Sequence, residues 1–151
     1  MKLTGTRFGE IEFGPADVLF FKEGLIGFPR LQEFILLSHK DDSPFRWLQS
    51  VQEPSVAFLC AIPQSFLPDY NPTLTSAVVE SLKIEESTDR YVLTTASIPK
   101  GQPQELTLNL AAPILVNAKS RSALQFVLED EAYTVKHRVF PDAKVKQRVA
   151  A

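Results

Sequence analysis

Val56-Ala57-Phe58-Leu59-Cys60-Ala61-Ile62 is apolar at every position and stops at Pro63. Seven residues are too few for a typical buried helix. A run apolar on both faces and closed by proline reads instead as a central strand covered from both sides. Just upstream, Phe45-Arg46-Trp47-Leu48-Gln49-Ser50 follows Pro44 and places Phe45, Trp47 and Gln49 on one face of a second strand. The same reading extends in both directions. Ile11 and Phe13 alternate with Glu10 and Glu12; Val18–Phe21 and Phe34–Leu37 are short apolar runs closed by turn residues. Tyr91–Ile98, Leu106–Leu110, Ile114–Val116, Leu124–Leu128 and Tyr133–Phe140 complete the series. Short strands punctuated by Pro, Gly, Asn, Asp and Ser predict an all-β chain, a small antiparallel barrel-like fold. One segment is helical in pattern: Ser76–Leu82, capped by Thr75 or Ser76, with Val78, Val79 and Leu82 as its apolar stripe. It reads either as an acidic recognition helix or as a cover over one barrel mouth.

With 151 residues the chain supports one hydrophobic core. Its 44% apolar and 23% charged content is ordinary for a globular protein and excludes a disordered or fibrous one. Phenylalanine is the outlier, with eleven copies. No apolar run is long enough to span a membrane, and no signal-peptide pattern opens the chain, so a cytoplasmic location is expected. The charge is uneven: residues 1–135 carry −6 and residues 136–151 carry +4. We expect a single domain over 1–141, followed by a basic, flexible tail over 142–151. An acidic body disfavours direct nucleic-acid binding and suits a basic protein partner.

Nothing in the sequence assembles into catalytic or metal-binding chemistry. His39 and His137 have no carboxylate or thiol at ligand spacing. Cys60, the single cysteine, sits mid-strand as a small core residue. Asp41-Asp42 and Glu129-Asp130-Glu131 read as solvated turns. No phosphate-cradling loop, nucleophile elbow or dinucleotide fingerprint is present, so no cofactor and no metal are expected. What stands out is aromatic and proline-rich. Trp47 beside Phe45, and Tyr70 in the stiff Phe66-Leu67-Pro68-Asp69-Tyr70 loop, suit either a core or an interface hot spot. Asn109 and Asn117 flank the apolar Leu110–Val116 segment, where they satisfy a turn or face a partner.

The ordered motifs resemble those of the flagellar assembly factor FliW family over roughly Leu3 to Phe140. They are Phe20-x3-Gly24-Leu25-x-Gly27-Phe28, Pro44-Phe45-x-Trp47-Leu48-Gln49-Ser50, Pro54-x2-Ala57-Phe58 and Pro63-x2-Phe66-x-Pro68-Asp69-Tyr70. Asn109-Leu110-x-Ala112-Pro113-Ile114-x-Val116-Asn117 and Gln125-x-Val127-Leu128 follow. The resemblance implies a barrel-like β-fold without enzymatic activity. It further implies two protein partners, flagellin and CsrA, an RNA-binding translational repressor. Flagellin would sequester the FliW-like protein and so return CsrA to repression. Phe45, Trp47, Gln49, Pro68, Asp69, Tyr70, Asn109 and Asn117 are the candidate partner-binding residues, on a protein expected to be monomeric when free. A small β-barrel that binds a ligand or nucleic acid is the alternative.

Overall fold

The computed structural model describes residues 1–38, 42–86 and 89–140. His39, Asp41 and the basic 142–151 segment therefore lie outside the described residues. Among the described residues eleven strands form: β1 (Lys2–Thr6), β2 (Gly9–Glu12), β3 (Val18–Phe21), β4 (Glu33–Leu37), β5 (Phe45–Ser50) and β6 (Ala57–Ala61), then β7 (Arg90–Ser97), β8 (Thr107–Leu108), β9 (Ile114–Asn117), β10 (Ser122–Gln125) and β11 (His137–Arg138). One helix, α1 (Ser76–Ser81), interrupts them, with the Thr75 hydroxyl accepting from the Val78 amide as its N-cap.

Seven of the strands close a barrel. β3, β4, β5, β6 and β7 pair in succession, β7 pairs with β9, β9 with β10, and β10 returns to β3. All these pairings are antiparallel except the last: Ser122 and Ala123 lie parallel to Phe20 and Phe21. The chain is all-β with one short helix, as its patterning predicts, but a parallel seam closes the barrel. Closure removes most of the open edges that a curled sheet would otherwise expose.

Register sets what faces inward. Leu36 pairs with Leu48, and Leu48 with Phe58, so the three share the interior. Leu19, Phe21, Phe34, Leu48, Cys60, Leu93, Ile114, Val116 and Ala123 fill that interior. The Phe21 and Phe34 rings meet edge-on at 5.3 Å. Burying each such ring stabilises the fold by roughly 1.5–3 kcal/mol in transfer energy alone.

A second apolar layer lies on the outer wall, where Phe45 pairs with Ala61. There Ala61, Tyr70, Leu106, Leu108 and Leu110 are buried under Phe66, Leu67, Tyr133 and Val139. The Val56–Ile62 run thus serves two cores, with Cys60 inside and Ala61 outside. It is not covered along its whole length, because Phe58 and Leu59 are only half-buried near one barrel mouth. The β1–β2 hairpin leans on the same outer wall further round, with Phe8 edge-on to Trp47 at 5.3 Å.

Candidate partner-binding surface

Four of the eight candidate residues come together. Pro63 ends β6 and starts a 3-10 turn, Pro63–Ser65, and the chain then folds back through Phe66 to Tyr70. The Phe66 ring reaches Phe45 at 5.7 Å, and Tyr70 packs edge-on to Tyr133 at 4.8 Å. Pro68 and Asp69 stay exposed on the rim. The result is an open cavity of about 330 Å³ lined chiefly by Phe66, Pro68, Asp69, Tyr70, Tyr133 and His137. Its floor is aromatic and its rim carries one carboxylate. Tyr70 itself is buried: its hydroxyl donates to the Leu110 carbonyl at 2.7 Å. Burial, and secondly the neighbouring Tyr133, push the Tyr70 phenol well above its ordinary value.

The other four stand apart. Trp47 is half-buried, with the Arg7 guanidinium 4.3 Å above its ring. An exposed cation–aromatic stack of this kind contributes about 0.5–1 kcal/mol. Gln49 is fully buried; its Nε2 donates to the carbonyls of Ser50, Pro54 and Val56, which folds the 51–56 loop against the wall. Asn109 accepts from the Ala112 amide through Oδ1 and so shapes the turn between β8 and β9. Asn117, also buried, donates from Nδ2 to the Leu82 carbonyl at 2.8 Å. Its Oδ1 accepts from the amides of Lys119 and Ser120. One side chain therefore holds both the end of α1 and the β9–β10 hairpin.

The sequence reading passed over an exposed apolar ledge. Ile26 and Phe28 are 55% and 42% exposed, and the Phe28 ring meets Phe58 edge-on at 5.0 Å. The tight Leu25–Phe28 turn that presents them depends on Gly24, whose φ is +66°. A Cβ at Gly24 would overlap the Phe28 carbonyl and the Pro29 backbone. The available signal was the Gly24-Leu25-x-Gly27-Phe28 spacing, where two glycines bracket a tight apolar turn that buries Leu25 in the core and leaves Ile26 outside. α1 reads as a cover rather than a free surface at its C-terminal end, since Leu82 is buried.

Among the described residues no three His, Cys, Asp or Glu side chains gather as a metal site, and no helix is long and apolar enough to cross a membrane. Burial raises the Cys60 thiol to about 12, which leaves it protonated and unreactive at neutral pH.

The family model described as FliW protein matches residues 2–139. The flagellar assembly factor FliW of Magnetococcus marinus is 36% identical over 97% of this chain and 90% of its own length. That of Bdellovibrio bacteriovorus is 39% identical over 99% of this chain and 83% of its own length. A crystal structure of the flagellar assembly factor FliW superposes with a TM-score of 0.86 at 31% identity, covering 95% of this chain and 99% of that one. A shared closed barrel, matched nearly end to end in both sequence and structure, places this chain in the FliW family of flagellar assembly factors.

Proposed function

We propose that this chain serves flagellum assembly as a non-enzymatic binding protein of the cytoplasm, which takes up flagellin and antagonises CsrA by exchanging one partner for the other. Its membership of the flagellar assembly factors over residues 2–139 carries the reading. The surface supports it. A −6 body over residues 1–135 suits a basic RNA-binding protein, since complementary charge speeds encounter and fixes orientation. The aromatic-floored cavity beside Pro68 and Asp69 suits the apolar face of an amphipathic helix of flagellin. Pro68 and Asp69 are the direct contacts in this proposal; Phe66 and Tyr70 form the floor beneath them, and Phe45 backs the Phe66 ring. Trp47, with Arg7 and Phe8, forms a second contact area. Gln49, Asn109 and Asn117 act from beneath, by holding the loops that shape the surface.

The test is a binding series with purified flagellin and CsrA. Replacing Asp69 by lysine introduces a charge reversal on the exposed rim without touching the core. It should weaken one of the two complexes by about tenfold or more while melting behaviour stays unchanged. Unchanged affinity for both partners would remove this cavity from the account.

A further inference from the structure

β6 leaves the barrel wall early. It pairs with β7 only at Cys60 with Thr95 and Ala61 with Thr94, and Pro63 then turns the chain away. Along Arg90–Leu93, β7 keeps β9 on one side, while among the described residues no strand pairs with its other edge. A cavity of about 530 Å³ opens at this gap, lined by Leu36, Ile62, Val92 and Leu93 as its apolar part. Two cations reach into it: Arg46 from the inward face of β5 and Arg90 from the outward face of β7.

The environment of these arginines is unusual for so acidic a body. Among the described residues neither guanidinium is ion-paired. Arg46 donates from one Nη to the carbonyls of Ser43 and Phe45, which leaves its other donors directed elsewhere. Arg90 makes no side-chain hydrogen bond among the described residues. Both side chains are half-buried. A partly desolvated guanidinium without a carboxylate is costly unless a ligand supplies one. An uncovered strand edge offers main-chain hydrogen bonds to an added strand. Together with the apolar pocket they define one kind of occupant.

We propose that the Arg90–Leu93 edge is a strand-addition site for an acidic peptide: an extended segment that pairs with β7, sets its carboxylates on the outer face against Arg90, and places alternate aliphatic side chains over Leu36 and Ile62 on the inner face. The site is separate from the cavity at Pro68–Tyr70, and its test does not depend on flagellin or CsrA.

The probe is the synthetic peptide acetyl-Asp-Val-Asp-Val-Asp-Val-amide, titrated into the isotopically labelled full chain and followed by amide chemical shifts. Saturable shifts confined to Arg90–Leu93, Ile62 and Gln64, with slowed hydrogen exchange at the Arg90–Leu93 edge, are expected. Arg90→Gln should weaken binding about fivefold or more at unchanged melting temperature, and Arg46→Gln, on the inner face, should weaken it less. The Asn-Val analogue, and the Asp-Val peptide with alternate amides N-methylated, should both fail to saturate. Absence of binding, equal binding by the Asn-Val or N-methylated peptide, or equal binding to Arg90→Gln would overturn the proposal. So would saturation by sodium octanoate where the peptide gives none, since that would make the gap a small-amphiphile pocket. The wild-type exchange measurement keeps the test valid should an arginine variant fold poorly.

Discussion

The Tyr70 hydroxyl donates a 2.7 Å hydrogen bond to the Leu110 carbonyl, and so ties the proline-stiffened 63–70 turn to the connection between β8 and β9, forty positions away in sequence. Both groups are buried, so neither finds water if the other is lost. The outer apolar layer and the shape of the neighbouring cavity depend on this pair.

Tyr70→Phe should therefore cost about 1–3 kcal/mol, because it strands a buried carbonyl while keeping the ring. For a chain of this size that lowers the melting temperature by several degrees, roughly 2–4 °C per kcal/mol. Tyr70→Ala should cost about 3–5 kcal/mol, since the contact with Tyr133 is lost as well. Binding loss in the alanine variant is then confounded with unfolding. Thermal melts of both variants check this, and a Tyr70→Phe melt equal to the wild type would contradict it.

Alkaline destabilisation should begin with Cys60. Burial holds its thiol near 12 in the folded state, against 9.0 for an exposed thiol. The unfolded chain therefore releases its proton first as pH rises. Stability from this group is complete below about pH 9 and falls by roughly 1.4 kcal/mol per pH unit from there to about pH 12. Tyr70, also raised by burial, adds to the fall above about pH 10. Urea titrations at pH 8, 9 and 10 should show a steeper loss in the wild type than in Cys60→Ala. Parallel curves would contradict it.

Asn117→Ala should destabilise the protein by about 1–3 kcal/mol, because it leaves the Leu82 carbonyl and the Lys119 and Ser120 amides without a partner. The loss should be felt at α1 as well as at the hairpin. Hydrogen exchange should quicken over residues 78–84 and 117–122 together; a change limited to one of the two segments would show that Asn117 does not couple them.

Much of this architecture is legible in the sequence where local chemistry decides it. Pro44 starts β5 at Phe45, with Phe45, Trp47 and Gln49 on one face as expected, and Thr75 starts α1 as its capping oxygen suggests. Boundaries shift where a distant partner decides. The apolar Leu124–Leu128 run reads as a strand, yet β10 is Ser122–Gln125, because its start is set by the parallel pairing with Phe20 and Phe21. Only His137–Arg138 of the expected Tyr133–Phe140 strand pairs, since Tyr133 turns down onto Tyr70. Among the candidate residues, side-chain type singled out Tyr70, Gln49 and Asn117 as partner contacts and did not reveal that all three are buried. Burial comes from loops folding over the wall, and strand periodicity carries no information on that.

Salt should separate the two proposed complexes. Exposed charges are screened over about 8 Å at physiological ionic strength, so docking of CsrA on the acidic body should weaken steadily as salt rises. Apolar capture of a flagellin helix should respond far less. Calorimetric titrations at low and high salt check this, and equal salt dependence would contradict the division of surfaces.

The most direct measurement of partner exchange is a competition titration with wild-type protein. The complex with fluorescently labelled CsrA is formed first, flagellin is added in steps, and anisotropy follows the label. The account predicts that CsrA is released in proportion to the flagellin bound, with no lasting complex of all three. A stable ternary complex, or failure of the well-folded chain to bind either protein, would contradict it.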